Sequence, residues 1–148
     1  MNMKNVIIVG LGFVGSAMAV AIASKINNKD EPFFHVTGID LPYGAGQERI
    51  DCISSGKFPF KNNDIRIADE LKKAVKRGNL MATSNMDAYA EADIVLISIN
   101  CDLVKQNGQE KIALDHFTVS IQEIAENISE ETLVIIESTL PPGTWQKI

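Results

Sequence analysis

The sequence predicts an α/β domain in which a doubly wound parallel sheet lies between two layers of helices, giving an α/β/α arrangement. Short β-branched apolar runs alternate with segments of helical periodicity along the whole chain. The first of these runs, Val6 to Val9, leads directly into a G-x-G-x-x-G motif. The next run ends in a carboxylate, Asp40. These three observations together are typical of a Rossmann-like fold.

The composition excludes several other classes of protein. The chain has 148 residues, which suit a single domain, and it is 45% hydrophobic and 22% charged, as in ordinary globular proteins. A net charge of −5 argues against a nucleic-acid surface. No apolar segment approaches the ~20 residues of a membrane span. Cys52 and Cys101 suggest neither a disulfide framework nor a metal site, so we expect a cytoplasmic protein without a bound metal.

The glycines of the motif each have a predicted task. Gly10 allows a tight turn, Gly12 lets the backbone approach a pyrophosphate, and Gly15 lets the following helix pack closely on the strand. The free N–H groups and the positive end of the helix dipole can then receive phosphate oxygens. The motif therefore predicts a dinucleotide site at the start of this helix.

Asp40 is the second element of the predicted site. At the end of a second strand, a carboxylate can accept hydrogen bonds from the adenosine ribose, and its charge repels a 2′-phosphate. The residues Leu41 to Gly46 contain no base, and the first one after them is Arg49. We therefore predict NAD rather than NADP as the cofactor. The alternative is a carboxylate that only caps the turn at the end of the strand.

The first half of the chain contains three segments with helical signals. A helix from Phe13 to about Ile26 has apolar residues at helical spacing, so that one face can lie on the sheet. A shorter helix covers Gln47 to Ser54, and another runs from about Asp64 to a stop at Gly78. The segment Lys57 to Phe60 contains a proline and is predicted to be extended.

The alternation of strands and helices continues in the second half. Asn79 to Thr83 is predicted to form a short strand, after which Ser84 caps a brief helix through Ala90. Ala92 to Asn100 is apolar in its middle, as expected of a strand buried on both faces. Residues 100 to 113 are predicted to be a polar loop.

The last part of the chain contains one more helix and one more strand. Asp115 is predicted to cap the helix, and Thr132 to Ser138 forms the strand. An abrupt turn follows over Thr139 to Thr144, and Trp145 to Ile148 looks like the first turn of an unfinished helix. Ligands of doubly wound sheets bind at the C-terminal strand ends where the strand order reverses, so we expect the site there.

Three segments together carry a resemblance to a known family. They are Gly10-Leu11-Gly12-Phe13-Val14-Gly15, Ile53 to Phe60, and Glu137-Ser138-Thr139-Leu140-Pro141-Pro142-Gly143-Thr144. The pattern resembles the N-terminal domain of the UDP-glucose/GDP-mannose dehydrogenase family over essentially the whole chain. Members of that family oxidise the 6-hydroxymethyl group of a nucleotide sugar to a carboxylate. They use two hydride transfers to NAD and a thiohemiacetal and thioester on a cysteine.

The resemblance assigns roles to particular residues. Gly10, Gly12 and Gly15, with the backbone of Phe13 and Val14, match the pyrophosphate turn, and Asp40 matches the ribose acid. Thr139 matches a threonine near the nicotinamide that helps to hold the hydrolytic water, which makes it the candidate catalytic residue. The alternative for Thr139 is a turn-forming threonine whose hydroxyl bonds to the local backbone.

One position departs from the family pattern. Asn100-Cys101-Asp102 stands where the family has a threonine followed by proline near the cofactor. A thiol is a weaker hydrogen-bonding group than a hydroxyl, so the resemblance implies a looser cofactor contact at Cys101 or one made by the backbone. Cys101 is not expected to be the nucleophile, because the family's catalytic cysteine comes from a later domain.

Several parts of the family's machinery have no counterpart in this sequence. They are the catalytic glutamate, lysine, asparagine and cysteine, the dimerising helix and most of the sugar-nucleotide pocket. The resemblance therefore implies that residues 1–148 are a dinucleotide-binding domain cut within its C-terminal helix, which binds NAD without turnover. It also implies a homodimeric parent that acts on a nucleotide sugar, whereas the short chain is expected to be a monomer. The alternatives are the cofactor domain of a 3-hydroxy-acid or 6-phosphogluconate-like dehydrogenase, and a non-catalytic dinucleotide-sensing module.

Overall fold

The structure is a computed structural model that describes residues 3–61, 64–101, 103–106, 109–112, 114–140 and 142–144. The strands of the described chain are β1 (Lys4–Val9), β2 (Phe34–Ile39), β3 (Leu80–Thr83), β4 (Ile94–Ile97), β5 (Leu103–Gln106), β6 (Gln109–Ile112) and β7 (Leu133–Ile136). The helices are α1 (Phe13–Ala23), α2 (Gly44–Ser54), α3 (Ile65–Arg77) and α4 (Asp115–Asn127), with a 3-10 helix over Met86–Glu91.

The central sheet has five parallel strands in the order β3-β2-β1-β4-β7. Val6 in β1 pairs with Val36 of β2 on one side and with Ile94 of β4 on the other. The chain therefore winds outward from β1 in one direction and then outward from β4 in the other. This confirms the predicted doubly wound sheet, and it places the ligand crevice at the C-terminal ends of β1 and β4.

Each face of the sheet is covered by helices. On one face, α1, α2 and α3 pack against the strands through side chains that include Val20, Ile53 and Leu71. On the other face, the 3-10 helix and α4 pack through Tyr89 and Phe117. Successive residues of β1 contribute to opposite cores, because side chains alternate along a strand. The predicted three-layer arrangement is therefore confirmed.

The ends of α3 follow the sequence signals closely. The Asp64 side chain accepts a hydrogen bond from the N–H of Arg66 at 3.0 Å, which caps the helix at its first turn. Gly78 ends the helix in the left-handed conformation, with φ of 83°. The start near Asp64 and the stop at Gly78 are both found where the sequence predicts them, and the cap made by the Asp64 side chain is an additional finding.

The first helix is shorter than predicted. It ends at Ala23, and Ile26, which the sequence assigned to the helix, pairs instead with Pro32 in an isolated antiparallel bridge. The Asn27 side chain accepts hydrogen bonds from the N–H groups of Lys29 and Glu31, at 2.7 and 3.1 Å. These local bonds close a tight loop and leave no length for a further helical turn.

The predicted polar loop over residues 100–113 is wrong. The described part contains β5 and β6, which pair as an antiparallel ribbon with Leu103 opposite Ile112. The sequence holds a signal for this ribbon, since Asn107-Gly108 is a dipeptide that favours two-residue hairpins. Asn107 and Gly108 lie outside the described residues, as does Asp102, which belongs to the segment that departs from the family pattern.

Other boundaries differ by a few residues. Asn85, not Ser84, caps the 3-10 helix by accepting a hydrogen bond from the N–H of Asp87 at 3.0 Å. Helix α2 begins at Gly44 instead of Gln47, and α4 begins with Asp115, so that Leu114 takes the capping position. Strands β4 (Ile94–Ile97) and β7 (Leu133–Ile136) are shorter than predicted at both ends. Pro141 and the predicted helical turn over Trp145–Ile148 lie outside the described residues.

Candidate functional site

A cavity of about 1050 Å³ opens at the C-terminal edge of the sheet, above the point where the strand order reverses. Most of the cofactor-binding residues predicted from the sequence line it. They are Gly10, Gly12, Phe13, Val14, Asp40, Cys101 and Thr139. Gly15 stands behind this wall, buried in the first turn of α1. The structure thus brings together residues that are up to 129 positions apart in the sequence.

The turn between β1 and α1 is held from both sides. Gly10 has φ of +88°, a conformation that L side chains rarely adopt, and its N–H donates to the carbonyl of Ile39 at 2.8 Å. A Cβ added to Gly10 would lie 2.6 Å from the carbonyl oxygen of Ser98 in the loop after β4. A Cβ on Gly15 would lie 1.9 Å from the carbonyl oxygen of Gly10. Both glycines are therefore required for the close packing of this turn.

Gly12 borders the cavity, in contrast to Gly10 and Gly15, which are packed against backbone atoms. A Cβ added there would meet no atom within 4 Å, so the residue borders open space in the cavity. It precedes the first residue of α1, and no acidic side chain lies in the first turn of that helix. The first N–H groups of a helix have no acceptor within it, and the helix dipole is positive there. The residues present fit a phosphate group at this end of α1.

Asp40 holds the turn as well as lining the cavity. Its Oδ2 accepts a hydrogen bond from the N–H of Leu11 at 3.0 Å, and its Oδ1 accepts one from the N–H of Leu41 at 2.8 Å. These bonds are the turn-capping role that we considered as an alternative. They leave an acceptor position on Oδ1, so a ribose hydroxyl can still be bound. The ribose role of Asp40 stays a prediction.

Arg49 is a member of the site that we did not predict from the sequence. The first turns of α2 carry this side chain back to Asp40, where Nη1 lies 2.7 Å from Oδ2. The carboxylate that was expected to face the cofactor with a full negative charge is therefore paired with a base. The sequence does contain a signal for this contact. A helix that starts a few residues after Asp40 can bring the Arg49 side chain back to the end of β2.

The far side of the cavity is formed by the ends of β4 and β7. Ser138 joins these ends, because its Oγ accepts a hydrogen bond from the N–H of Ile99 at 3.1 Å. Thr139 follows it and is exposed to the cavity. Cys101 is half-buried in the same wall, with Sγ 4.0 Å from the carbonyl oxygen of Ile99. Ser138 was not singled out from the sequence, and its spacing alone gave no reason to do so.

Three aromatic rings attach the glycine turn to the segment after α2. Phe13 makes edge contacts with Phe58 and Phe60, with ring centroids 6.1 and 5.7 Å apart. Phe58 and Phe60 also contact each other, at 6.0 Å. Because edge-to-face contacts favour one relative orientation, this cluster fixes the segment beside the start of α1. Phe60 thereby becomes part of the cavity wall.

The wall on the β2 side is formed largely by apolar side chains of the loop after β2, the 3-10 helix and α4. Tyr89 of the 3-10 helix is buried, and this burial raises the pKa of its phenol, with a further increase from the Glu123 carboxylate. The phenol is therefore a neutral hydroxyl at physiological pH.

Among the described residues, no group of three or more His, Cys, Asp or Glu side chains could hold a metal ion. None of the described helices is long and apolar enough to cross a membrane.

Comparison with known proteins places this geometry in a family. The UDP-glucose/GDP-mannose dehydrogenase family, NAD binding domain, matches residues 4–148. A UDP-N-acetyl-D-mannosamine dehydrogenase of Methanocaldococcus jannaschii is 27% identical over 145 residues, which are 98% of this chain and 30% of that protein. The chain therefore spans about 30% of the length of the curated relatives that it matches.

Solved structures show the same fold. The NDP-N-acetyl-D-galactosaminuronic acid dehydrogenase of Methanosarcina mazei matches with a TM-score of 0.82 and 21% identity, over 99% of this chain and 30% of that one. A GDP-mannose dehydrogenase from Pseudomonas aeruginosa matches with a TM-score of 0.78 and 25% identity, over 97% of this chain and 30% of that one. The chain belongs to the UDP-glucose/GDP-mannose dehydrogenase family, of which it comprises the NAD-binding domain.

Proposed function

We propose that this chain is the cofactor-binding part of a longer nucleotide-sugar 6-dehydrogenase, and that it binds NAD on its own without oxidising a sugar. The observation that carries the proposal is the cavity at the reversal of strand order, where Gly12 is open and Asp40 is adjacent. The match over residues 4–148, together with the chain's small share of its relatives' length, supports it. The longer protein would be a cytoplasmic homodimer acting on a UDP- or GDP-sugar.

The residues divide the cavity into two halves. The pyrophosphate would lie against Gly12 and the first N–H groups of α1, where Phe13 and Val14 line the cavity. Asp40 and Arg49 hold the adenosine ribose, because together they offer an acceptor and several donors to its hydroxyls. Cys101 and Thr139, which follow β4 and β7, would then lie on the nicotinamide side of the cavity. NAD, when bound there, supplies the hydride acceptor for alcohol oxidation.

Thr139 and Cys101 have different tasks in this arrangement. The Thr139 hydroxyl lies at the end of β7 and can both donate and accept a hydrogen bond, so it can orient a water molecule beside the nicotinamide. Cys101 contributes apolar contact and shape to the same wall, since a thiol is a weak donor. Neither residue can form the sugar pocket alone. Substrate binding and covalent chemistry would belong to the rest of the longer protein.

Isothermal titration calorimetry tests the proposal directly. We expect NAD to bind the chain measurably, and more tightly than NADP, whereas incubation with NAD and UDP-glucose, UDP-N-acetylmannosamine or GDP-mannose should give no NADH absorbance. Absence of NAD binding would contradict the cofactor site. NADH formation by the chain alone would contradict the need for further residues. NAD binding without turnover is also expected of a sensing module, so the longer gene product must be assayed with the same sugars, and failure to form NADH there would favour the module.

A further inference from the structure

One half of the cavity contains a carboxylate that the proposed function does not use. We call this half the base lobe and define it by Leu41, Tyr43, Met86, Tyr89, Val119 and Glu123, all of which line the cavity. Most of these side chains are apolar or aromatic. Glu123 lies on α4 and is half-buried, and its carboxylate makes no hydrogen bond or ion pair with the described residues.

The two charged groups that border the base lobe, Asp40 and Arg49, already have partners. Asp40 and Arg49 are bonded to each other at 2.7 Å, so their charges largely cancel. The Tyr89 phenol is neutral. Among the residues that define the base lobe, Glu123 is therefore the charged acceptor, and the further carboxylate of the cavity lining, Glu137, follows β7 on the far side. A half-buried carboxylate in a mostly apolar wall is costly unless it gains a hydrogen-bond donor, and a ligand can supply one.

The proposed binding mode determines which part of the ligand reaches the base lobe. With the pyrophosphate at Gly12 and the ribose at Asp40, the adenine ring extends away from the nicotinamide, between the loop after β2 and α4. Met86 and Val119 then offer apolar surface to the faces of a planar base. The edge of adenine carries one strong exocyclic donor, the 6-amino group.

We propose that Glu123 accepts a hydrogen bond from the 6-amino group of adenine, and that this contact makes the base lobe selective for adenine over 6-oxo purines. A carboxylate has no proton to donate at neutral pH, so it matches an amino group and opposes a carbonyl oxygen in the same position. This inference rests on the proposed function, because it requires the adenosine to lie on the β2 side of the cavity.

The test compares NAD with nicotinamide hypoxanthine dinucleotide, whose purine ring has a 6-oxo group in place of the amino group and a hydrogen on the adjacent N1. Calorimetry on the wild-type chain should give a dissociation constant about tenfold higher for the hypoxanthine analogue, as expected for loss of one hydrogen bond to a charged group. Glu123→Ala should weaken NAD binding and leave the analogue unchanged or improved, so that the ratio falls close to one. Glu123→Gln should retain NAD binding and improve the analogue, because an amide has both a donor and an acceptor.

Glu126→Ala is the matched control. Glu126 lies three residues further along α4 and is exposed outside the cavity lining, so its replacement should leave the ratio unchanged. A wild-type ratio near one, or a ratio that survives Glu123→Ala, would overturn the role of Glu123 while leaving NAD binding intact. Parallel weakening of both ligands by Glu123→Ala would also overturn it, since that result indicates contact with another part of the ligand. Absence of NAD binding to the wild-type chain would overturn the binding mode on which both proposals rest.

Discussion

The carboxylate of Asp40 and the guanidinium of Arg49 form an ion pair at the end of β2, with 2.7 Å between Oδ2 and Nη1. The side chain of Asp40 is 8% exposed and that of Arg49 is 29% exposed, so the pair is partly shielded from water. The same carboxylate accepts hydrogen bonds from two backbone N–H groups. Asp40 thus joins the glycine turn, the loop after β2 and helix α2, and its replacement is expected to affect both stability and binding.

Asp40→Ala should lower the free energy of unfolding by about 2–4 kcal/mol, because it leaves an Arg and two N–H groups without their acceptor. It should also abolish measurable NAD binding. Urea denaturation and calorimetry check the two effects. Asp51→Ala is a suitable control, since Asp51 is an exposed carboxylate on α2 that does not line the cavity. Unchanged NAD affinity in the Asp40 variant would refute its ribose role.

Arg49→Ala should increase the preference for NAD over NADP. Without the guanidinium, the negative charge of Asp40 is no longer balanced and repels a 2′-phosphate more strongly. We expect the ratio of the NADP and NAD dissociation constants to rise about tenfold, measured by calorimetry at low salt. Arg66→Ala, which removes an exposed Arg far from the cavity lining, should leave that ratio unchanged. A lower ratio in Arg49→Ala would show that electrostatic neutralisation of Asp40 is not the dominant effect.

Gly12→Ala and Gly15→Ala should fail in different ways. The added methyl group at Gly12 enters open cavity space, so stability should stay within about 1 kcal/mol of wild type while NAD binding falls at least about tenfold. At Gly15 the methyl group would overlap the carbonyl oxygen of Gly10, and we expect a loss of about 3 kcal/mol in unfolding free energy. Thermal denaturation and calorimetry separate the two effects. Equal behaviour of the two variants would argue against the different orientations of these glycines.

Asn79 should be important for stability alone. It is buried, and its Nδ2 donates to the carbonyl oxygens of Ala23 and Phe34, at 2.9 and 3.0 Å. Asn79→Ala removes both bonds, together with the one that Asn79 Oδ1 accepts from Arg77 at 3.0 Å, and should lower the unfolding free energy by about 2–4 kcal/mol. Because Asn79 is remote from the cavity lining, NAD affinity of the folded fraction should not change. Asn85→Ala, which removes an exposed helix cap, should cost only about 1 kcal/mol.

Asp93 makes the stability of the folded state depend on pH in the acid range. Hydrogen bonds from Lys4 and from the N–H of Asn5 hold the pKa of the Asp93 carboxyl below its ordinary value. The folded state therefore favours the charged form. This contribution is complete above the unfolded pKa of about 4 and is lost as the pH falls through the lower folded pKa. Asp93→Asn should flatten the acid limb of a plot of melting temperature against pH. A parallel shift of the whole plot would contradict this assignment.

The sequence was most informative where the backbone needs a particular residue type. Gly10, Gly15 and Gly78 marked a turn, a close approach and a helix end, and each is found there. The order of strands and helices followed from the alternation of two periodicities. Together with the carboxylate after β2, these signals gave the doubly wound sheet and the position of the crevice.

The sequence was less informative where the outcome depends on tertiary contacts. Arg49 reaches Asp40 only because α2 starts at Gly44 and turns back over the strand end. Ser138 joins β4 to β7 across 39 residues of sequence, and no local pattern predicts such a bond. The β5–β6 ribbon was mistaken for a loop because its residues are polar, although Asn107-Gly108 carried the hairpin signal.

Gly10 is held by a hydrogen bond to the carbonyl of Ile39 and by the close approach of the Ser98 carbonyl, and this packing has a thermodynamic consequence. If this turn binds a phosphate as proposed, its close packing before the ligand arrives means that it loses little conformational entropy on association. The entropic cost of binding should then fall on the ligand itself and on Leu41 to Tyr43, whose side chains are exposed at the rim. Substitutions at Leu41 to Tyr43 should therefore change the entropy of binding, whereas the turn enters the complex in the conformation that it already has.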